Sequence, residues 1–191
     1  SDISFKLNLK GIESGEYKLV HYRIDENFTN PFAEWKNLES AELPSTSDYL
    51  KMVSKQEPHI LGVPTNINIS TSETEIEVDL PAASVSFIIL ARKNAVKSVP
   101  PSKLAVKEYK GLNGEKMILL RWEDNQNENI LSYDVHYRAN EDDEFSKINS
   151  TYLRDRSFIH LLPEDSTGGE YKIKVIDFWG RESEFSSVLI Y

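Results

Sequence analysis

Apolar and polar residues alternate at the start of the chain, with Ile3, Phe5, Leu7 and Leu9 set against Ser4, Lys6, Asn8 and Lys10. A period of two places successive side chains on opposite faces of an extended backbone, so the run predicts a half-buried strand. Gly11 to Gly15 supply turn residues, and the run from Tyr17 to Ile24 predicts a second strand that closes a hairpin with the first. After Pro44 the period changes. Ser45, Thr46 and Ser47 are helix-start residues, Tyr49, Leu50, Met52 and Val53 recur at helical spacing, and Pro58 is a stop, so a helix is expected from 47 to about 56. Strands are expected again at 66–70, 73–79 and 85–92. The last contains Phe87-Ile88-Ile89-Leu90, an unbroken apolar run suited to a strand buried on both faces.

Val99-Pro100-Pro101-Ser102 interrupts this organisation, because paired prolines cannot continue a ladder and stiffen the chain. Seven short strands are expected beyond it, at 103–106, 116–122, 132–138, 144–148, 157–161, 170–177 and 186–191. That count resembles a fibronectin type III or immunoglobulin-like sandwich, with Trp122 ending the second strand, Tyr133 to Tyr137 on the third, and Tyr171 opening the sixth, where a tyrosine corner would sit. The fold class is therefore mainly β: a β-sandwich domain with one short helix over 1–97, then a fibronectin type III-like domain over 98–191. About five strands are too few to close the first sandwich, so its missing partners are expected upstream.

A chain of 191 residues is long enough for two cores. Its 31 acidic and 22 basic residues leave a net charge of −9, which opposes nucleic acid, anionic membrane surfaces and sulfated glycans as unassisted partners. Cysteine is absent, and with it disulfides, thiol nucleophiles and thiolate metal sites. No apolar run approaches the roughly 20 residues of a membrane helix. Ser1-Asp2-Ile3-Ser4 leads straight into a strand, so any start signal is expected further upstream.

The most signature-dense stretch lies between Tyr22 and Pro58: Tyr22-Arg23-Ile24-Asp25, then Asn30-Pro31, Trp35-Lys36 and Pro44. It resembles the C-terminal β-sandwich of glycoside hydrolase family thirty-nine. A second stretch, Glu170 to Trp179 (Glu-Tyr-Lys-Ile-Lys-Val-Ile-Asp-Phe-Trp) with Arg181 and Phe185-Ser186, resembles the terminal module of the family's α-L-iduronidase branch. The two matches span most of the chain, with 65–99 alike in pattern more than in identity. The resemblance implies a lysosomal or secreted parent enzyme. Its catalytic (β/α)8 barrel would precede residue 1, and its two barrel glutamates would remove terminal α-L-iduronic acid from dermatan and heparan sulfate with retention. The chain itself would be a non-catalytic accessory part that scaffolds the barrel, with that barrel as partner and a glycan substrate as the other candidate. Alternatives are a β-xylosidase-type member with an added module, or a free-standing pair of carbohydrate-binding or adhesion modules. Vertebrate iduronidases join these two domains by a disulfide at positions that align with Leu90 and Asn129, so here their placement is left to packing.

Candidate chemistry is sparse. A retaining glycosidase needs two carboxylates about 5 to 5.5 Å apart, normally on barrel strands. Asp25, Glu26 and Glu34 cluster near Arg23, but Arg23 with Asp25 reads as an ion pair or turn cap. His21, His59, His136 and His160 show no metal-ligand spacing, and Glu141 to Glu144 reads as a solvated hairpin tip rather than a calcium loop. Gly168-Gly169 reads as a turn. Trp35, Phe178 and Trp179 are the aromatic candidates for sugar contact. Trp35 is expected to cap the first sandwich, however, and Trp179 to pack between the domains. Asn27, Asn68 and Asn149 open sequons that would accept glycans in a secretory compartment. No catalytic residue, cofactor or metal is assigned.

Overall fold

The computed structural model describes residues 2–38, 42–70, 73–94, 96–111, 113–124, 126–163 and 165–191; Ser1, which leads into the first alternating run, lies outside them. The expected opening hairpin does not form. Strand β1 (Ile3–Lys10) pairs antiparallel with β5 (Glu73–Leu80), from Ile3 opposite Leu80 to Lys10 opposite Glu73. This register sets Phe5 and Leu7 beside Val78 and Ile76. On the other face Lys6 meets Glu75 at 2.7 Å and Glu77 at 3.4 Å, and Lys10 meets Glu73 at 3.0 Å. Strand β2 (Gly15–Ile24) has no edge left for β1, since β6 (Val85–Arg92) runs along one side and β3 (His59–Ile60) and β4 (Thr65–Ile69) occupy the other.

One face of β2 looks toward the β1–β5 pair: Arg23 donates to the Asp79 carbonyl and, at 3.1 Å, to Ser86 Oγ. The opposite face carries Val20 and Tyr22, both buried. Strand β6 departs from the expectation of full burial. Among the described residues it pairs only with β2, and Val85 and Phe87 are 59% and 63% exposed, because nothing covers that end of the face.

Among the described residues there are two short helices instead of one. In α1 (Pro31–Lys36) the Asn30 side chain accepts from the Ala33 amide at 3.1 Å and Pro31 stands at the first turn, so the Asn-Pro pair starts a helix rather than a turn alone. Helix α2 (Thr46–Ser54) begins with a reciprocal cap between Ser45 and Asp48.

All seven strands expected after the prolines are present. A three-stranded sheet orders β11 (Ser157–Leu162), β8 (Lys116–Glu123) and β7 (Ser102–Lys110). A four-stranded sheet orders β10 (Ser146–Lys147), β9 (Ile130–Arg138), β12 (Glu170–Asp177) and β13 (Leu189–Ile190). Between them lie Ile118, Leu120, Tyr133, Val135, Ile173 and Val175, all at most 1% exposed, with Trp122 edge-on to Tyr133 at 5.2 Å. Strand β13 is shorter than expected because Ser183 and Ser186 hold the preceding segment to β12 through their hydroxyls, which accept from the Val175 and Ile173 amides. Gly168 and Gly169 serve close approach more than a turn: a Cβ on Gly169 would strike the Tyr137 ring, and one on Gly168 the Tyr191 carbonyl. Among the described residues no helix is long and apolar enough to cross a membrane.

Tyr171 does not make a tyrosine corner to the upstream backbone; its hydroxyl meets His160 Nδ1 at 3.0 Å inside the core. Burial lowers the His160 imidazole to about 4, against an ordinary value of about 6.5. Below pH 6.5 the unfolded chain therefore takes up a proton that the folded chain refuses, and stability falls until pH reaches about 4. The unfolding midpoint is expected to drop between pH 7 and pH 5, and to drop less in His160→Asn; equal drops would remove His160 as the cause.

Candidate functional site: the interface between the two β units

Among the described residues strands β1–β6 pair only with one another, as do β7–β13, yet a buried cluster crosses between the sets. Val20, Tyr22, Ile60 and Ala91 come from the first, Leu131 and Phe178 from the second, with Ile89, Ile176 and Trp179 packed around them. Phe178 sits in the turn after β12 and is 2% exposed. Arg154 completes the contact. Its guanidinium lies over the Tyr22 ring at 4.8 Å and the Phe178 ring at 5.8 Å, and it donates to the Tyr22 hydroxyl. The segment that presents Arg154 is held to β9 by the Tyr133 amide donating to the Leu153 carbonyl at 2.7 Å and the Leu153 amide donating to Ser132 Oγ at 3.0 Å.

Polar ties surround this cluster. Asp177, 2% exposed, accepts from the Trp179 and Arg181 amides, each at 2.9 Å, and from Arg181 Nε at 2.7 Å. Arg181 then reaches across to the segment after β6, donating to the Asn94 carbonyl at 3.0 Å and to Asn94 Oδ1 at 3.2 Å. Gly180, at φ +75°, lets the turn close tightly enough for both Asp177 contacts. The proline linker is clamped as well: Asn127 accepts from the Val99 amide and donates to the Val99 carbonyl, each at 2.7 Å. At the far side Glu57 accepts from the Arg154 amide at 3.0 Å and the Asp155 amide at 3.4 Å. Burial raises the Glu57 carboxyl above its ordinary range, with those amides pulling it back. Asn129, at one of the two positions aligned with the vertebrate disulfide, here accepts the Phe178 amide at 2.9 Å. Packing around Phe178 and the Arg181–Asn94 hydrogen bonds join the two units.

A cleft of about 650 Å³ opens beside this interface, between α2 and the outer face of the three-stranded sheet, lined by Leu50, Val53, Leu119, Phe158, Glu57 and Arg154 among others. Of its charged lining groups, Glu57 and Arg154 are already committed to the interface, and Asp155 accepts from the Arg156 amide and from Ser157 Oγ, each at 2.8 Å. The carboxylates singled out from the sequence are likewise engaged separately. Asp25 faces Arg23 at 3.6 Å, both side chains buried, and caps its turn by accepting from the Asn27 and Phe28 amides at 2.8 and 3.0 Å. Glu34 pairs with Lys55 at 3.7 Å across the two helices, and Glu26 is exposed. The expected ion pair and the expected turn cap are thus the same residue.

The histidines go to four different places: His21 to Ser86, His59 stacked on Phe28, His136 edge-on to Phe185, and His160 to Tyr171. No group of three histidine, aspartate or glutamate side chains among the described residues could hold a metal ion. The acidic run lies at the β9–β10 tip, where Asp143 accepts from the Asn140 amide at 2.9 Å. Trp179 packs against the interface cluster as expected. Trp35 does not cap the sandwich: it lies on α1, 39% exposed and stacked on Phe32 at 5.5 Å. Of the sequon asparagines, Asn27 and Asn68 are exposed. Asn149 is buried; its amide nitrogen donates to the Tyr133 and Thr151 carbonyls at 3.0 and 3.1 Å, and its oxygen accepts from the Val135 amide at 2.8 Å. That side chain is part of the fold and is closed as an acceptor in the folded chain. Arg154, Glu57 and Asn127 escaped sequence reading because each stands in a loop without periodicity.

No family model matches the chain. Along 192 residues, 99% of this chain, it is 19% identical to α-L-iduronidase of Mus musculus, covering 29% of that protein. Along 193 residues, 97% of this chain, it is 23% identical to α-L-iduronidase of Canis lupus familiaris, covering 28% of it. Among solved structures, the bacterial orthologue of human α-L-iduronidase superposes on 100% of this chain with a TM-score of 0.84 and 23% identity, covering 33% of that chain. The chain therefore spans less than a third of the curated relatives it matches. Both signature stretches meet in the structure, with Tyr22 and Phe178 in one buried cluster, and by sequence and by fold the chain resembles the C-terminal region of α-L-iduronidase.

Proposed function

We propose that the chain is the non-catalytic C-terminal part of an α-L-iduronidase-like retaining glycoside hydrolase, lysosomal or secreted, that scaffolds and stabilises a catalytic barrel belonging to the same polypeptide. The parent enzyme would hydrolyse terminal α-L-iduronosyl bonds of dermatan and heparan sulfate. The observation that carries this reading is the end-to-end match to part of α-L-iduronidase, in sequence and in fold. Two further features support it. Of the carboxylates singled out near Arg23, Asp25 serves an ion pair and a turn cap and Glu34 an ion pair. In addition, among the described residues 12 of the 19 exposed large hydrophobic side chains lie in the first unit, at or before Val96, a distribution expected if that unit is the one that docks onto further protein. The test is the intact mass of the native polypeptide that carries this C-terminus. A mass larger by a barrel, about 250 residues or more, is expected; a mass near 21.9 kDa would overturn the reading.

A second reading, a free-standing carbohydrate-binding pair, is favoured by the exposed Phe32–Trp35 stack, since flat rings are what sugars bind. On a glycan array the purified chain is expected to bind no sugar; saturable binding lost in Trp35→Ala would favour this second reading.

A further inference from the structure

We propose that Asn113 is a site of spontaneous deamidation, and that the contact between α2 and the β7–β8 turn governs both its rate and its effect. The inference does not depend on the glycosidase reading. Of the chain's asparagines only Asn113 precedes a glycine. Gly114 carries no side chain to hold its amide nitrogen away from the Asn113 side-chain carbonyl. Its φ is +91°, and nothing lies within 4 Å of where a Cβ would stand. Asn113 is itself exposed. The turn therefore has the reacting pair and the room for a ring to close.

The chemistry needs only water. The Gly114 nitrogen gives its proton to solvent base and bonds to Asn113 Cγ. The Cγ–Nδ2 bond breaks, and that nitrogen takes a proton from water and leaves as ammonia. The succinimide so formed adds water at either ring carbonyl. It opens to aspartate, or to isoaspartate, in which the backbone runs through the side-chain carboxyl carbon. Nothing is oxidised or reduced.

The folded turn holds both reacting groups back. The Gly114 amide donates to the Gly111 carbonyl at 3.1 Å, and Asn113 gives its backbone and side-chain amides to the Glu115 carboxylate at 3.0 and 3.3 Å. Reaction thus proceeds from an opened turn. Part of what keeps the turn closed comes from the other unit: Thr46, 2% exposed in the first turn of α2, donates to Glu115 Oε2 at 2.9 Å. The fit is close, since a Cβ on Gly111 would stand 2.5 Å from that oxygen and 2.6 Å from Thr46 Oγ1. Hydrogen bonds from its own amide, Thr46 and Asn113 hold the Glu115 carboxyl below its ordinary range, which keeps it charged. Deamidation removes the Asn113 side-chain donor and sets a second carboxylate against this one. Isoaspartate also lengthens the turn backbone. Either product loosens the seat of Thr46, the contact that had slowed its formation, so the site is a one-way release between the two units.

Peptide mapping of the purified chain during storage near neutral pH tests this, with aspartate and isoaspartate at position 113 separated by chromatography. Product is expected at Asn113, formed more slowly than in a synthetic peptide of the turn sequence. Thr46→Val, which keeps the side-chain shape and removes the hydroxyl, is expected to speed the reaction about five-fold, the effect on turn opening of losing one hydrogen bond. Asn113→Gln, which must close a larger ring, is expected to give no product there. No reaction at Asn113, or a rate equal to that of the free peptide, would overturn the proposal. Equal rates in the chain and in Thr46→Val would overturn it as well. Asn113→Asp reads the effect separately. The Tyr49 amide, which donates to the Ser45 carbonyl at 2.9 Å at the start of α2, is expected to exchange its hydrogen about five-fold faster in this variant. Unchanged exchange at Tyr49 would show that the turn and α2 are uncoupled, and would remove the release.

Discussion

Phe178→Ala is expected to lower the unfolding free energy by about 3 to 5 kcal/mol, the cost of truncating a fully buried phenylalanine in a core that cannot collapse. The ring is 2% exposed and stands among Tyr22, Leu131 and Ile176, residues of both units, with Arg154 above it. Truncation removes contacts on both sides of the interface at once and leaves Arg154 with Tyr22 as its one remaining ring in this contact. Urea unfolding followed by tryptophan fluorescence checks this. The transition is expected to shift and to split, because the Ile118–Val175 core of the second unit does not depend on Phe178. A loss below about 1 kcal/mol, with the transition unsplit, would mean that the cluster does not join the units.

Asp177→Ala carries the second large effect, about 2 to 4 kcal/mol. The carboxylate is 2% exposed and accepts three hydrogen bonds, two from backbone amides that have nowhere else to turn in a closed loop. Its removal also takes away the buried partner that aims Arg181 at Asn94. Arg181 is itself one-third exposed, so the charge term is partly screened and the amides account for most of the loss. A double-mutant cycle with Arg181→Ala separates the two: coupling of about 1 kcal/mol is expected for the ion pair, with the larger remainder persisting in Asp177→Ala when arginine is already absent. Additive effects would show that the clasp is only a turn.

Both substitutions fall in stretches that stand out in the amino-acid sequence, but their meaning was not legible there. The run around Tyr22 and the run ending Asp177-Phe178-Trp179 are separated by about 150 residues, and no periodicity relates them. Only the fold brings Tyr22 under Arg154 and against the Phe178 cluster. Strands of the second unit such as β8 and β12 were readable because they alternate in burial along their own length, as where Tyr171, Ile173 and Val175 of β12 point inward. The pairing of β1 was not readable. A five-residue turn favoured β2 by proximity, whereas the choice of β5 was decided by cross-strand complementarity, apolar to apolar and Lys6 and Lys10 to glutamate.

Local patterns determined the β class, the break at the prolines, the capped helix at Ser45 and the absence of any thiol chemistry, because each depends on neighbours in sequence or on composition alone. Tertiary structure decided which strands pair, that Trp35 is exposed, that Asn149 is a core group rather than a glycan acceptor, and that β6 is an edge. Those outcomes depend on what covers a face, and burial is a property of the assembled layers: the apolar run Phe87 to Leu90 reads the same whether a strand lies beside it or not.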